Sequence, residues 1–143
     1  MLIASTIAGM CFINTMTGGV HALAHSLGGR YGIPHGLANT IMLPEVMAFN
    51  LSENPERFML VADALGLEFD SRDPLDAGLM AIQAVRDLRK EVGLTQTLKD
   101  FGVPTDREAL QPLIDLASAD GQLPYNPRTM EDEDIYQLYV QAN

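Results

Sequence analysis

Apolar residues recur along this chain with the 3.6-residue period of a helix, and glycines and prolines punctuate the pattern. Leu2 to Met16, rich in Ala, Met, Ile and Leu, predicts one helix that stops at Thr17-Gly18-Gly19. Val20 to Leu27 predicts a second, closed by Gly28-Gly29. Pro34 has no amide proton and pushes Ile33 toward extended backbone, so Tyr31-Gly32-Ile33-Pro34 is a connection. A third helix then starts near His35-Gly36 and runs to about Asn50, bent at Pro44. Beyond Asn54 the pattern turns amphipathic. Pro55 suits a first helical position, with Phe58, Val61, Ala62 and Leu65 on one face and Gly66 as the stop. Asp73-Pro74 opens a helix in which Leu75, Leu79, Ile82, Val85, Leu88 and Val92 recur as far as Gly93. Thr95 to Phe101 is a short helical turn, and Asp106 is placed to cap a segment holding Leu110, Leu113, Ile114 and Ala117. A last helix spans Met130 to Ala142, with acids in its first turn as the helix dipole prefers. No alternating strand pattern, βαβ unit or internal repeat interrupts this, so the expectation is one all-α domain over residues 1–143, folded as a helical bundle.

Charge sharpens the picture. The net charge is −10, and it is unevenly placed: residues 1–44 hold Arg30 and no acid, while the remainder carries every Asp and Glu. The first three helices are therefore expected to form the interior. Met1 to Met16 is interrupted by Ser5, Thr6, Asn14 and Thr15 and falls short of the ~20 apolar residues of a membrane span, so a buried core helix is the expectation there. No cationic start marks a signal peptide, since the first basic residue is Arg30. No basic stripe is present to hold a phosphate backbone, which argues against nucleic acid as a partner. The single cysteine, Cys11, permits no disulfide framework, suits a reducing cytoplasm, and reads as small core filler.

The candidate chemistry lies in one run, GGVHALAHSLGGRYGIPHG, which holds all three histidines: His21, His25 and His35. His21 and His25 are four apart, so on a helix their rings project from one face. The glycine-rich turn before Pro34 can fold His35 back onto that face. A single histidine in such surroundings is most simply a packed residue bonded to a carbonyl. Three together in an acid-free segment point instead to a metal or proton-transfer site. The pattern lacks the HExxH glutamate, and no carboxylate precedes Glu45.

The order of residues around these histidines resembles the iron-containing, group III alcohol dehydrogenases. The matching positions are Ala4-Ser5, Ala8-Gly9, Phe12, Asn14, Gly18, His21 to His25, Leu27 to Gly29, Pro34 to Gly36, Asn39 and Leu43-Pro44. Further matches run through Val46 to Asn50, Thr97 to Val103, Asp120 and Asn126-Pro127-Arg128, so the resemblance covers essentially the whole chain. It implies a fold like the C-terminal domain of the dehydroquinate synthase-like and iron-type alcohol dehydrogenases. It implies that His21 and His35 bind a catalytic divalent metal, Fe(II) or Zn(II), and that His25 lies at the nicotinamide of NAD(P) and relays a proton. Phe12 would line the pocket beside nicotinamide and substrate. The metal would act as a Lewis acid on the alcohol oxygen of a small alcohol or aldehyde.

Members of that family are more than twice as long. They carry an N-terminal dinucleotide-binding domain, then helices that give the metal an Asp and another His; this chain resembles the C-terminal part alone. A family position that is often cysteine is Gln122 here, which leaves substrate preference open. The expected function is the metal-site portion of an NAD(P)-dependent enzyme interconverting small primary alcohols or diols with aldehydes. Two alternatives are a related zinc enzyme of the glycerol dehydrogenase kind, against which the middle His25 argues, and a truncated helical module inactive by itself. Neither a membrane nor a nucleic-acid partner is expected, and a homo-oligomer is allowed.

Overall fold

The computed structural model describes residues 1–70 and 72–143, and among these it contains helices and no strand. In chain order the α-helices are α1 (Leu2–Thr15), α2 (Gly19–Tyr31), α3 (His35–Leu51), α4 (Pro55–Ala64), α5 (Pro74–Glu91), α6 (Arg107–Ser118) and α7 (Asp132–Gln141). Two short 3-10 turns, Leu98–Phe101 and Leu123–Tyr125, lie between α5 and α6 and between α6 and α7. The signals that start these helices are local. Asp73 and Asp106 each accept a backbone N–H three residues on, from Asp76 and Ala109, and Glu131 with Asp134 forms a reciprocal capping pair at α7.

Helix α2 runs through Gly28-Gly29 instead of ending there. It is closed by Gly32, whose left-handed backbone (φ 66°) lets its N–H return to the carbonyl of Gly28. Its inner face, Ala22, Leu23, Ala24 and Leu27, is fully buried against α3, α6 and α7. Ala38, Ile41, Met42 and Val46 of α3 join the same core, with Leu110, Leu113, Ile114, Ile135, Leu138 and Tyr139 closing it from α6 and α7. Behind α2 the buried Tyr139 hydroxyl sits 2.6 Å from Ser26 Oγ and donates to the carbonyl of Leu23 at 3.2 Å. This polar tie is shielded enough that burial raises the phenol's pKa well above its ordinary value.

Four expectations about burial are corrected. Helix α1 is not in the interior: it has no buried residue, and Leu2, Ile3, Met10 and Ile13 are exposed. Cys11 is exposed with it and fills no core. On α5 the leucine stripe faces outward, with Leu75, Leu79, Leu88 and Val92 more than half exposed. The buried side of α5 is instead Ala77, Gly78, Ala81 and Ile82, where the missing side chain of Gly78 makes room for Leu51 of α3 and Phe58 of α4. A Cβ on Gly78 would lie 3.2 Å from Phe58 Cβ and overlap the side chain of Leu51. Val61 and Leu65 on α4 are likewise exposed, leaving Ala62 as that helix's buried residue.

No single helix among the described residues is long and apolar enough to cross a membrane. The pair α1 and α2 passes that test only jointly, across a 105° bend, and α2 is mostly core.

Candidate metal and substrate site

His21 and His25 leave the outer face of α2 one turn apart, and His35 is the first residue of α3. The turn between these helices brings the three imidazoles together. Their ring centroids are 5.8 Å (His21 to His25), 5.2 Å (His21 to His35) and 5.4 Å (His25 to His35) apart. They sit at the rim of the domain, with His25 and His35 exposed and His21 half-buried. Together with Phe12 and Ile13 of α1, and with Met16, Thr17 and Gln122, they line one open cleft of about 480 Å³. All four residues singled out from the sequence, Phe12, His21, His25 and His35, thus meet in one place.

Sequence reasoning missed the carboxylate. Asp120, which follows α6, receives a hydrogen bond from His25 Nδ1 at 2.8 Å, across 95 residues of sequence. A carboxylate only accepts, so the proton of the neutral ring is on Nδ1 and the lone pair is on Nε2. The other carboxylate oxygen accepts the N–H of Gln122 at 2.8 Å, which holds Asp120 in place. No local pattern could have revealed this pairing; the only signal was Asp120's place among the residues of the family resemblance.

Burial, then the neighbouring His35 and His25, lowers the pKa of His21, against a smaller opposing effect of Asp120. His21 therefore keeps its lone pair at neutral pH. Asn39, one turn into α3, donates to His35 Nε2 at 3.0 Å and to the His35 carbonyl at 2.9 Å, which makes Nε2 an acceptor. Its own Oδ1 is buried and unpartnered beside His35.

Imidazole nitrogens suit iron or zinc equally, and because the Nε2 lone pair of His35 is engaged by Asn39, His35 would hold an ion through that nitrogen once Asn39 releases it. The donor set does not fill a coordination shell. Among the described residues no three His, Cys, Asp or Glu side chains are arranged to hold an ion together.

A second layer fixes the helices that carry the histidines. The carboxamide of Asn126 accepts from the N–H of Gly19, the first residue of α2, at 3.1 Å, and exchanges two hydrogen bonds with Asn50 near the end of α3, at 3.0 and 2.7 Å. Arg128 donates to the carbonyl of Phe49 at 3.1 Å and lies 4.0 Å over the Phe49 ring, an arrangement favourable to a cation. The Asn126-Pro127-Arg128 run is thus a clamp across the start of one histidine helix and the end of the other.

Comparison with known proteins identifies the family and the fold. All 143 residues match the family described as "Fe-containing alcohol dehydrogenase family, C-terminal". The chain is 41% identical over 143 residues to the 1,3-propanediol dehydrogenase of Citrobacter freundii, covering 99% of this chain and 36% of that protein. It is 37% identical over 142 residues to the lactaldehyde reductase of Escherichia coli K12, covering 99% and 37% respectively. The crystal structure of a 1,3-propanediol oxidoreductase superposes with a TM-score of 0.91 at 39% identity, over 98% of this chain and 36% of that one. The chain therefore spans about a third of the length of these relatives. Residues 1–143 correspond to the C-terminal region of the iron-containing alcohol dehydrogenase family, to which this chain belongs.

Proposed function

We propose that this chain supplies the metal and substrate side of an NAD(P)-dependent alcohol dehydrogenase acting on small primary alcohols or diols and the corresponding aldehydes. The observation that carries the reading is the convergence of three imidazoles, one fixed by a carboxylate and two free of one, on a cleft with an apolar wall. His21 and His35 would hold Fe(II) or Zn(II), which when bound supplies Lewis-acid polarisation of an alcohol oxygen. Phe12, Ile13 and Met16 shield the carbon chain of the substrate from water. His25, with Nδ1 anchored on Asp120, presents Nε2 as the acceptor for the proton that leaves the alcohol. A reducing cytoplasmic compartment suits a chain with one exposed thiol.

The test is made in an intact enzyme carrying this segment, natural or built by exchange into a propanediol dehydrogenase. His21→Ala or His35→Ala is expected to remove metal and activity together. His25→Ala is expected to keep most of the metal and lose about a hundredfold or more in rate, the usual contribution of a positioned base. Equal loss of metal from all three variants, by elemental analysis, would place His25 on the metal and defeat this division of roles. The isolated chain is expected to hold Fe(II) or Zn(II) weakly, because two neutral ligands leave most coordination positions to water.

A further inference from the structure

Within the cleft one polar side chain is left without a task by the reading above. Gln122 faces the site, and its Oε1 is doubly engaged by the loop that joins α1 to α2: it accepts the backbone N–H of Thr17 at 3.3 Å and the Thr17 hydroxyl at 3.0 Å. A carboxamide whose oxygen is held this way has one orientation, with its NH2 on the opposite side. No described residue accepts from that nitrogen. The backbone of Gln122 is fixed as well, because its N–H is bound to the same Asp120 carboxylate that anchors His25. The backbone that carries the amide donor and the proton-accepting imidazole are therefore both tied to Asp120. Around them the lining is apolar on the α1 side, with Phe12, Ile13 and Met16.

We propose that Gln122 is a specificity-determining residue whose carboxamide N–H donates to a second oxygen on the substrate, selecting diols and hydroxy-aldehydes over plain alkanols. The inference rests on the alcohol dehydrogenase reading. In it, the reacting oxygen lies at the histidines and a carbon chain along the apolar wall, so a hydroxyl at the far end meets the one fixed donor there. A substrate ending in a methyl group leaves the Gln122 donor unpaired, which is the more costly arrangement when water is excluded.

The decisive pair of substrates is 1,3-propanediol and 1-butanol, which have the same number of heavy atoms and differ by a hydroxyl in place of a methyl. In the intact enzyme carrying this segment, Gln122→Leu is expected to lower kcat/KM for 1,3-propanediol about 10- to 100-fold, the range set by leaving or making one such hydrogen bond. It should raise kcat/KM for 1-butanol, whose methyl gains an apolar neighbour. Thr17→Val, which frees the amide oxygen and lets the carboxamide turn, is expected to give a smaller loss in the same direction. In the intact enzyme loaded with Zn(II), the side-chain NH2 resonances of Gln122 should shift on titration with 1,3-propanediol and stay still with 1-butanol. Parallel changes for both substrates in Gln122→Leu, or identical NMR responses to both, would overturn the proposal while leaving the dehydrogenase reading intact. An unsubstituted enzyme that oxidises no alcohol would defeat that reading and this one with it.

Discussion

Helices α1 and α2 are neighbours in sequence, similar in length, free of acids and rich in small and apolar residues, yet their fates are opposite. Helix α2 buries Ala22, Leu23, Ala24 and Leu27 completely, and α1 buries nothing. The difference lies in partners, not composition. Helix α2 meets α3 and α6 along its length, while α1 has no extended contact with another element among the described residues and turns away at 105°. Apolar composition states that a helix stabilises a fold when it is covered. It does not state what covers it.

The contrast can be broken most sharply by matched truncations. Leu23→Ala on α2 is expected to cost about 2–5 kcal/mol through lost burial and the cavity it leaves. Ile7→Ala on α1, 56% exposed, should stay within about 0.5 kcal/mol. Urea unfolding of the two proteins checks this, and equal costs would mean that α1 is packed in solution. A smaller effect sharpens what holds α2 down: Tyr139→Phe removes the hydroxyl tied to Ser26 and Leu23 and should cost about 1 kcal/mol in the same assay.

The smallest expected effect distinguishes the two faces of α2 by pH. The pKa of His21 is lowered in the folded chain, so as pH falls the unfolded chain takes up that proton first. The contribution is therefore harmless above the ordinary imidazole value of about 6.5 and destabilising below it. Melting temperature should decline more steeply below that point in the unsubstituted chain than in His21→Ala. A slope that His21→Ala leaves unchanged would assign the acid sensitivity elsewhere.

These comparisons also show what was readable from residues alone. Helix starts at Asp73 and Asp106 were legible because a cap is a three-residue event. The gathering of three histidines was legible because one pair shares a helix face and the third follows a short glycine- and proline-bearing turn. The buried face of α5 was misread, since period alone favours leucines and says nothing about how closely a partner helix approaches; Gly78 and the alanines decide it. The end of α2 was misread for a related reason: Gly28-Gly29 is permitted inside a helix whose other side chains are well packed, and Gly32 has the left-handed backbone that ends it. Asp120 and the double role of Asn126 were out of reach, being contacts across about a hundred residues.

The Asn126 clamp has a consequence in time. The carboxamide that secures the first turn of α2 is made 107 residues after Gly19. At ordinary rates of synthesis that interval is about 5–20 s. Throughout it the histidine helices exist without the group that sets their ends. The imidazoles of the cleft are translated well before the carboxamide that fixes the ends of their helices. A chain that stops short of residue 126 would carry every imidazole of the cleft and lack the hydrogen bonds that hold their helices in register.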